Sequence, residues 1–467
     1  MSRQISHEEM AQQKEFIKTI RDINALKPQK PLAFVETYGC QQNSSDSEKI
    51  KGMLSEMGFE FSSDAMSADF VLYNTCAVRE NAELKVFGNI GALKNKKLEN
   101  PDMIVAVCGC MMQQEHIAKT IKQKYHQVDL VFGTHALYRF PKLLCEVMNH
   151  KKVIDVKPDE GTIFEEISYE REKPPIAKIP IMYGCNNFCT YCVVPYVRGR
   201  ERSRDVKNIM NEIHDVAKKG YKEIVLLGQN VNSYSNDLDD GITFPQLLKM
   251  ACGVKGIERV RFVTSHPKDL SDELIEVMAS EPKICKQLHL PIQSGSNAVL
   301  KAMNRKYTRE SYMEIVKKAR LAMPNIVITT DIIVGFPTET NADFEETLDV
   351  LREAMYDTIY SFIFSKRVGT PAEKMEDCLS DSEKHTNFDK MLEVQNEISR
   401  RKNEMYVGTV QTVLTEGESK NNPDVLMGRT DGGKVVNFTG GRELIGNIVN
   451  VKINRINTWA LYGEAIK

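Results

Sequence analysis

The 467-residue sequence predicts an α/β protein in three parts: an N-terminal doubly wound parallel α/β domain, a central incomplete (β/α)6 barrel and a small C-terminal β-barrel. Three observations carry this. From Pro31, apolar runs of strand length alternate with helix-length stretches, and the alternation resumes between Ala177 and Phe364 without a hairpin signal. After Met405 the chain changes to short β-rich runs between glycine-containing turns. The expected divisions are an arm at 1–30, the first domain at 31–148, a charged linker at 149–173, the barrel at 174–404 and the β-rich module at 405–467. Within the arm, Ile17, Ile20, Ile23 and Leu26 are spaced for one short amphipathic helix; a solvated tail is the alternative.

In the first domain, strands are predicted at 32–37, 70–73, 103–107 and 128–132. The first three run into Tyr38-Gly39-Cys40, Asn74-Thr75-Cys76 and Cys108-Gly109-Cys110. Ligands of open α/β sheets sit beyond the carboxyl ends of the strands. If these strands are neighbours, Cys40, Cys76 and Cys110 converge on one metal cluster. Cys108 competes with Cys110, which is preferred because, like Cys40, it follows a glycine that lets the backbone approach closely. Plain buried thiols at strand ends are the alternative.

In the central domain, strands are predicted at 177–182, 223–227, 259–264, 287–290, 326–333 and 358–364. The first leads into Gly184-Cys185-Asn186-Asn187-Phe188-Cys189-Thr190-Tyr191-Cys192, three cysteines at C-x3-C-x2-C spacing. An iron–sulfur cubane takes about one protein ligand per iron, so three thiolates leave one iron open for chemistry. A structural zinc site closes with four ligands, and no further cysteine or histidine stands in this loop. The loop resembles that of the radical S-adenosylmethionine (SAM) enzymes, including the aromatic Tyr191 before the last cysteine. The resemblance implies that Cys185, Cys189 and Cys192 hold a [4Fe-4S] cluster whose open iron binds SAM and reduces it to methionine and a 5′-deoxyadenosyl radical.

Polar signatures follow the other barrel strands: Gly228-Gln229-Asn230, Ser265-His266-Pro267, Gln293-Ser294-Gly295-Ser296 and Asp331. Singly they are turn chemistry, and His266 and His289 read as structural histidines. Together, on one face, Gln229, Asn230, Ser265, Gln293 and Asp331 suit a pocket for adenosine, ribose and an amino-acid end. Gln229 falls where radical SAM enzymes contact the methionine amine, although the common Gly-Gly-Glu is absent. After the cysteine loop, Arg198, Arg200, Arg202 and Arg204 stand within seven residues. Arginine forks suit RNA phosphates, with a solvated or ion-paired face as the alternative. Cys145, Cys252, Cys285 and Cys378 read as inert.

Three strand-end cysteines ahead of such a loop resemble the methylthiotransferase family, and so do the 74–80, 189–196 and 227–234 stretches. The resemblance implies a second [4Fe-4S] cluster on Cys40, Cys76 and Cys110 that presents sulfur, and a C-terminal TRAM domain that binds RNA. It also implies two SAM molecules per turnover, one for the methyl group and one for the radical. The stretches are closest to the tRNA-modifying branch, which implies insertion of a methylthio group at C2 of N6-dimethylallyladenosine beside the anticodon. The tRNA carrying that base and a low-potential electron donor such as flavodoxin or ferredoxin are the implied partners. Methylthiolation of a ribosomal-protein aspartate, or of another modified adenosine, is the runner-up. A non-enzymatic RNA-binding iron–sulfur redox sensor is the alternative from another class.

The net charge of −2 excludes general polyanion binding, so any RNA grip is local. The 405–467 segment carries seven Lys or Arg against six Asp or Glu, which adds little. No run approaches a membrane span and no export signal opens the chain, so the eleven cysteines read as metal-bound or buried thiols of a cytoplasmic protein.

Overall fold

Six parallel strands form the sheet of the first of two units in the computed structural model, which describes residues 3–466 apart from 79, 158–161, 166–167, 240 and 421. Arg79 of the 74–80 stretch and parts of the expected arm and linker lie outside the described residues. The first unit comprises Met1–Glu172, Tyr183–Asn186 and Val193–Arg204. Its longer helices are α1 (His7–Ala25), α2 (Gln41–Glu56), α3 (Glu80–Glu99), α4 (Glu115–Lys124) and α5 (Phe140–Met148). The strands of its six-stranded sheet are β1 (Leu32–Tyr38), β2 (Glu60–Phe61), β3 (Phe70–Thr75), β4 (Ile104–Gly109), β5 (Leu130–Phe132) and β6 (Val153–Asp155).

Strand periodicity explains why helices cover both faces. Phe70 and Leu72 enter one core with Ile20, Ile50, Leu54 and Leu144. Their neighbours Val71 and Tyr73 enter the other with Val86, Ile90, Ile117 and Ile121. The order β2-β1-β3-β4-β5-β6 makes the chain step out to the edge after β1 and return on its other side at β3. Such a reversal opens a crevice at the carboxyl ends of β1 and β3. The N-terminal residues form a 19-residue helix with a Ser6–Glu9 capping box. Only part of its expected stripe is covered, since Ile20 is buried while Ile23 and Leu26 are exposed. Residues 153–155, expected in a linker, pair with β5 as the sixth strand.

The second unit comprises Lys173–Met182, Asn187–Cys192 and Asp205–Lys467. Its barrel strands are β7 (Ile176–Pro180), β8 (Glu223–Leu227), β9 (Arg259–Phe262), β10 (Gln287–His289), β11 (Val327–Val334) and β12 (Thr358–Ile363). They form parallel sheets β9-β8-β7 and β10-β11-β12, bridged by Val260 and Ile284. The six strands thus follow one another in order, with β7 and β12 at the ends. Helices α6 (Val206–Lys218), α7 (Phe244–Cys252), α8 (Asp272–Ser280), α9 (Asn297–Ala302), α10 (Arg309–Ala322) and α11 (Asn341–Ala354) lie between them, and α12 (Asp381–Glu404) follows.

The C-terminal module is a closed barrel of β13 (Val410–Ser419), β14 (Asn422–Thr430), β15 (Val435–Thr439), β16 (Ile448–Ile456) and β17 (Leu461–Ile466) around Val413, Leu426, Phe438 and Ile453. The large barrel meets it at the amino ends of its strands. Arg259, the first residue of β9, donates to the carbonyl oxygens of Arg429 and Thr412, both at 2.9 Å. Asp357, just before β12, pairs with Lys434 at 3.1 Å. The carboxyl ends therefore stay clear of the small barrel.

Candidate functional site

In the first unit, Cys40 ends the turn after β1 and is the N-cap of α2. Cys40 Sγ donates to Asn43 Oδ1 at 3.2 Å, and Cys110 Sγ donates to the same oxygen at 3.8 Å. Cys76, after β3, accepts from the backbone N–H of Val78 at 3.3 Å. Burial pushes the Cys110 thiol up to about 12, Arg198 opposes this, and the nearby thiols of Cys76 and Cys40 add to it. The three expected cysteines thus share one neighbourhood at the sheet reversal.

Cys108 lies near Cys110 and Asp46 but belongs to the apolar core. Its side chain packs in the apolar core with Ala106 and Phe132, and burial holds its thiol well above the ordinary range. The residue between them explains the difference. Gly109 sits at φ +99°, and a Cβ there would lie 2.3 Å from Asn74 Oδ1. The chain turns out of the strand at this glycine and delivers Cys110 to Asn43.

The arginine run is corrected by the structure. Arg198 is buried: its Nε donates to Cys110 Sγ at 3.0 Å and its Nη2 pairs with Asp46 at 2.8 Å. Arg204, also buried, makes a bidentate pair with Glu165 at 2.7 and 2.6 Å. Arg202 is buried and donates to the carbonyls of Arg198 and Arg200. Guanidinium groups committed in this way cannot grip RNA phosphates, and of the four arginines only Arg200 is exposed.

The C-x3-C-x2-C loop is divided between the units. In the first unit, Gly184 at φ +77° leads into Cys185, whose N–H donates to Gly199 O at 3.2 Å. In the second, Cys192 N–H closes on Cys189 O at 3.0 Å. The end of α9 clamps this part of the loop. Thr190 N–H donates to Met303 O at 3.1 Å, and Asn304 Nδ2 donates to Phe188 O at 2.9 Å. Arg305, 8% exposed, donates to Cys189 Sγ at 3.3 Å and to Pro291 O at 2.9 Å. Sequence reasoning missed α9 and Arg305; a charged residue six positions after Val299, itself wholly buried, was the available signal.

Tyr191 packs edge-on against Phe336 with ring centres 6.5 Å apart. At the carboxyl ends of β8 and β9, Gln229 Oε1, Asn230 Oδ1 and Ser265 Oγ are buried atoms with no hydrogen-bond partner in the protein. Both amide atoms of Asn232 share that condition. Each such atom costs about 1–3 kcal/mol, so the set fits a polar ligand that would pair with it. Asn230 Nδ2 is already committed to Asp269 at 2.7 Å. Gln293 holds an unusual φ of +76° while its backbone bridges Asp331 O and Ile333 N–H. Asp331 lies inside β11, not at its end, with Oδ1 3.5 Å from His289 Nε2. His266 is structural: its Nδ1 accepts from Lys268 N–H at 3.2 Å, and burial with Arg305 nearby pushes its pKa down to about 2, keeping it neutral.

Among the described residues, no three His, Cys, Asp or Glu side chains gather closely enough for a single metal ion. Three thiols in one neighbourhood are the donor set an iron–sulfur cluster takes when one of its irons has no protein ligand.

Comparison with known proteins gives the class. Residues 179–351 match the Radical SAM superfamily, so the polar end of the large barrel belongs to a radical SAM enzyme, a class that uses SAM and a [4Fe-4S] cluster. Residues 32–133 match the uncharacterized protein family UPF0004, and residues 404–466 match the TRAM domain. A relative from Acetivibrio thermocellus named tRNA-2-methylthio-N(6)-dimethylallyladenosine synthase is 51% identical, over 99% of this chain and 98% of its own. Relatives of that name from Clostridium botulinum and Alkaliphilus oremlandii are each 52% identical, over 96% and 99% of this chain and 98% of their own lengths. The chain belongs to this family of tRNA methylthiotransferases. Among solved structures, the radical SAM methyltransferase TsrM of Kitasatospora setae with cobalamin and a [4Fe-4S] cluster superposes with a TM-score of 0.54 at 14% identity, covering 73% of this chain and 77% of its own, a likeness of fold alone. Among the described residues, no helix is long and apolar enough to cross a membrane.

Proposed function

We propose that the chain inserts sulfur and a methyl group at C2 of N6-dimethylallyladenosine next to the anticodon of tRNA, using two [4Fe-4S] clusters. One would be held by Cys185, Cys189 and Cys192, the other by Cys40, Cys76 and Cys110. When bound, these groups supply reductive cleavage of SAM and the sulfur to be transferred. The observation that supports the two-cluster reading is the meeting of Cys40 and Cys110 on Asn43, with Cys76 beside Cys110, at the sheet reversal, a second thiol site in a unit with its own core.

In this reading the chain's own residues bind and orient. Gln229, Asn230, Asn232 and Ser265 pair with the polar ends of SAM, with Tyr191, Gln293 and Asp331 bordering that pocket. The burial of Arg198, Arg202 and Arg204 removes the arginine run as an argument for RNA over a ribosomal-protein aspartate. The tRNA substrate therefore rests on the relatives' names, with Arg200 and the TRAM domain as the remaining RNA contacts. A low-potential flavodoxin or ferredoxin would supply electrons, in the cytoplasm where tRNA is met.

The test is anaerobic incubation of reconstituted protein with SAM, reductant and tRNA bearing N6-dimethylallyladenosine, followed by digestion and mass spectrometry. A methylthiolated adenosine is the expected product. SAM cleavage beside unmodified RNA would move the substrate to a ribosomal protein or a differently modified adenosine.

A further inference from the structure

The last barrel strand, β12, carries two large aromatic side chains that the fold does not cover. Tyr360 is 51% exposed and Phe362 is 49% exposed. Two residues apart on one strand, they project from the same face. That face is the barrel interior. In the parallel register, Tyr360 pairs with Asp331 and Phe362 with Ile333. The Tyr360 ring meets the His289 ring edge-on at 5.5 Å, and His289 in turn faces Asp331. The alternate residues of β11, Ile328, Ile332 and Val334, instead join the buried core that includes Phe344 and Leu348 of α11. Tyr360 and Phe362 therefore line the inside of the barrel toward the carboxyl ends, on the side opposite the strands that hold Gln229 and Ser265.

Half-exposed rings inside a barrel gain little from the hydrophobic effect, and ligand pockets are typically lined by such rings with a few polar groups beside them. An aromatic face suits a flat, apolar or π-faced ligand, and a base lifted out of an RNA stack is held by stacking on aromatic side chains. Resting on the substrate reading above, we propose that Tyr360 and Phe362 form the wall that receives the unstacked, prenylated adenine, one ring against the base and the other beside its hydrocarbon substituent. Because β12 is the end strand of the six, a base could enter there without parting two hydrogen-bonded strands.

The test is equilibrium binding, which needs no turnover. Full-length reconstituted protein is titrated with an anticodon stem-loop bearing either N6-dimethylallyladenosine or unmodified adenosine, using Tyr360→Ala, Phe362→Ala, Tyr360→Phe and Phe362→Leu variants. Each alanine is expected to weaken binding of the prenylated loop by about 5- to 160-fold, the range found for removing one stacking ring. Tyr360→Phe retains the ring and should bind like the unaltered protein. Phe362→Leu retains apolar bulk and should lose affinity for both loops while keeping preference for the prenyl group. Tight binding by the unaltered protein that neither alanine moves overturns the aromatic wall alone. Failure of the unaltered protein to bind the prenylated loop counts against the substrate reading itself. A change in oligomeric state with RNA affinity intact would make the rings a contact between copies and overturn the proposal.

Discussion

Arg198 Nε lies 3.0 Å from Cys110 Sγ, and the same guanidinium holds Asp46 at 2.8 Å. Hydrogen bonds to cluster sulfurs and nearby charges set the reduction potential of an iron–sulfur site. The arrangement predicts opposite shifts from its two members. In protein with Cys185, Cys189 and Cys192 all changed to alanine, so that only the first-unit cluster assembles, Arg198→Gln should lower the midpoint by removing a cation and leaving Asp46 unpaired. Asp46→Asn should raise it by leaving the guanidinium uncompensated. Redox titration followed by electron paramagnetic resonance reads both, and shifts in the same direction would reduce the pair to packing.

The two sides of Gly109 make a second contrast. Cys108→Ala should keep full iron and sulfide and cost about 1 kcal/mol of packing, seen as a lower denaturation midpoint. Cys110→Ala should lose the first-unit cluster and about half the iron while the C-x3-C-x2-C loop still binds its share. Iron and sulfide analysis per chain decides, and iron loss in the Cys108 variant would reverse the assignment.

Much of this was legible in the sequence because strand periodicity and cysteine spacing are local signals. The strand-loop-helix repeats placed Cys40, Cys76 and Cys110 at the sheet reversal, and the β-rich tail announced a closed barrel. What was not legible depended on partners distant in the chain. The start of α2 reads as a solvent-facing polar run, yet Gln42, Asn43, Ser45, Asp46 and Lys49 are buried. Asn43 and Asp46 are there because they accept hydrogen bonds from Cys40, Cys110 and Arg198. The arginine run misled for the same reason, since its carboxylate partners Asp46 and Glu165 lie 152 and 39 residues away. Strand β14 was missed because Asn422-Pro423-Asp424 reads as a turn, while Gly428 is required by Leu414 O, 2.2 Å from where its Cβ would stand.

Glu339 gives a pH dependence. Glu339 is 1% exposed, and its carboxylate accepts from Gly335 N–H at 2.5 Å. Burial raises its pKa to about 7, against the opposing pull of that bond and of Lys384. A folded-state pKa above the unfolded value means the native chain binds the extra proton, so this residue's contribution is full below about pH 4.5 and is lost as pH rises toward 7. The loss is of order 3 kcal/mol at most. Denaturation at pH 5 and pH 7.5 should show a smaller fall for Glu339→Gln than for the unaltered chain; equal falls would mean the carboxyl is ionised throughout.

Two arginines of the large barrel, Arg259 and Arg261, hold the TRAM barrel to it. Arg259 donates to two carbonyl oxygens of the module, and Arg261, paired with Glu223 at 2.8 Å, reaches Thr430 O at 3.3 Å. Arg259→Ala leaves the carbonyls of Arg429 and Thr412 without their donor, at a cost of about 1–3 kcal/mol each where they stay buried. The small barrel has its own closed core and should stay folded, so the expected effect is loosened docking. Amide exchange at the contact segments of β13 and β14 should quicken by about tenfold or more, corresponding to at least about 1.4 kcal/mol, while exchange at Val436 and Phe438 stays slow. Unchanged exchange would place the hold in the Lys434–Asp357 pair, and Lys434→Ala would then reproduce the effect. Quickened exchange throughout the module would show that its fold depends on the barrel beneath it.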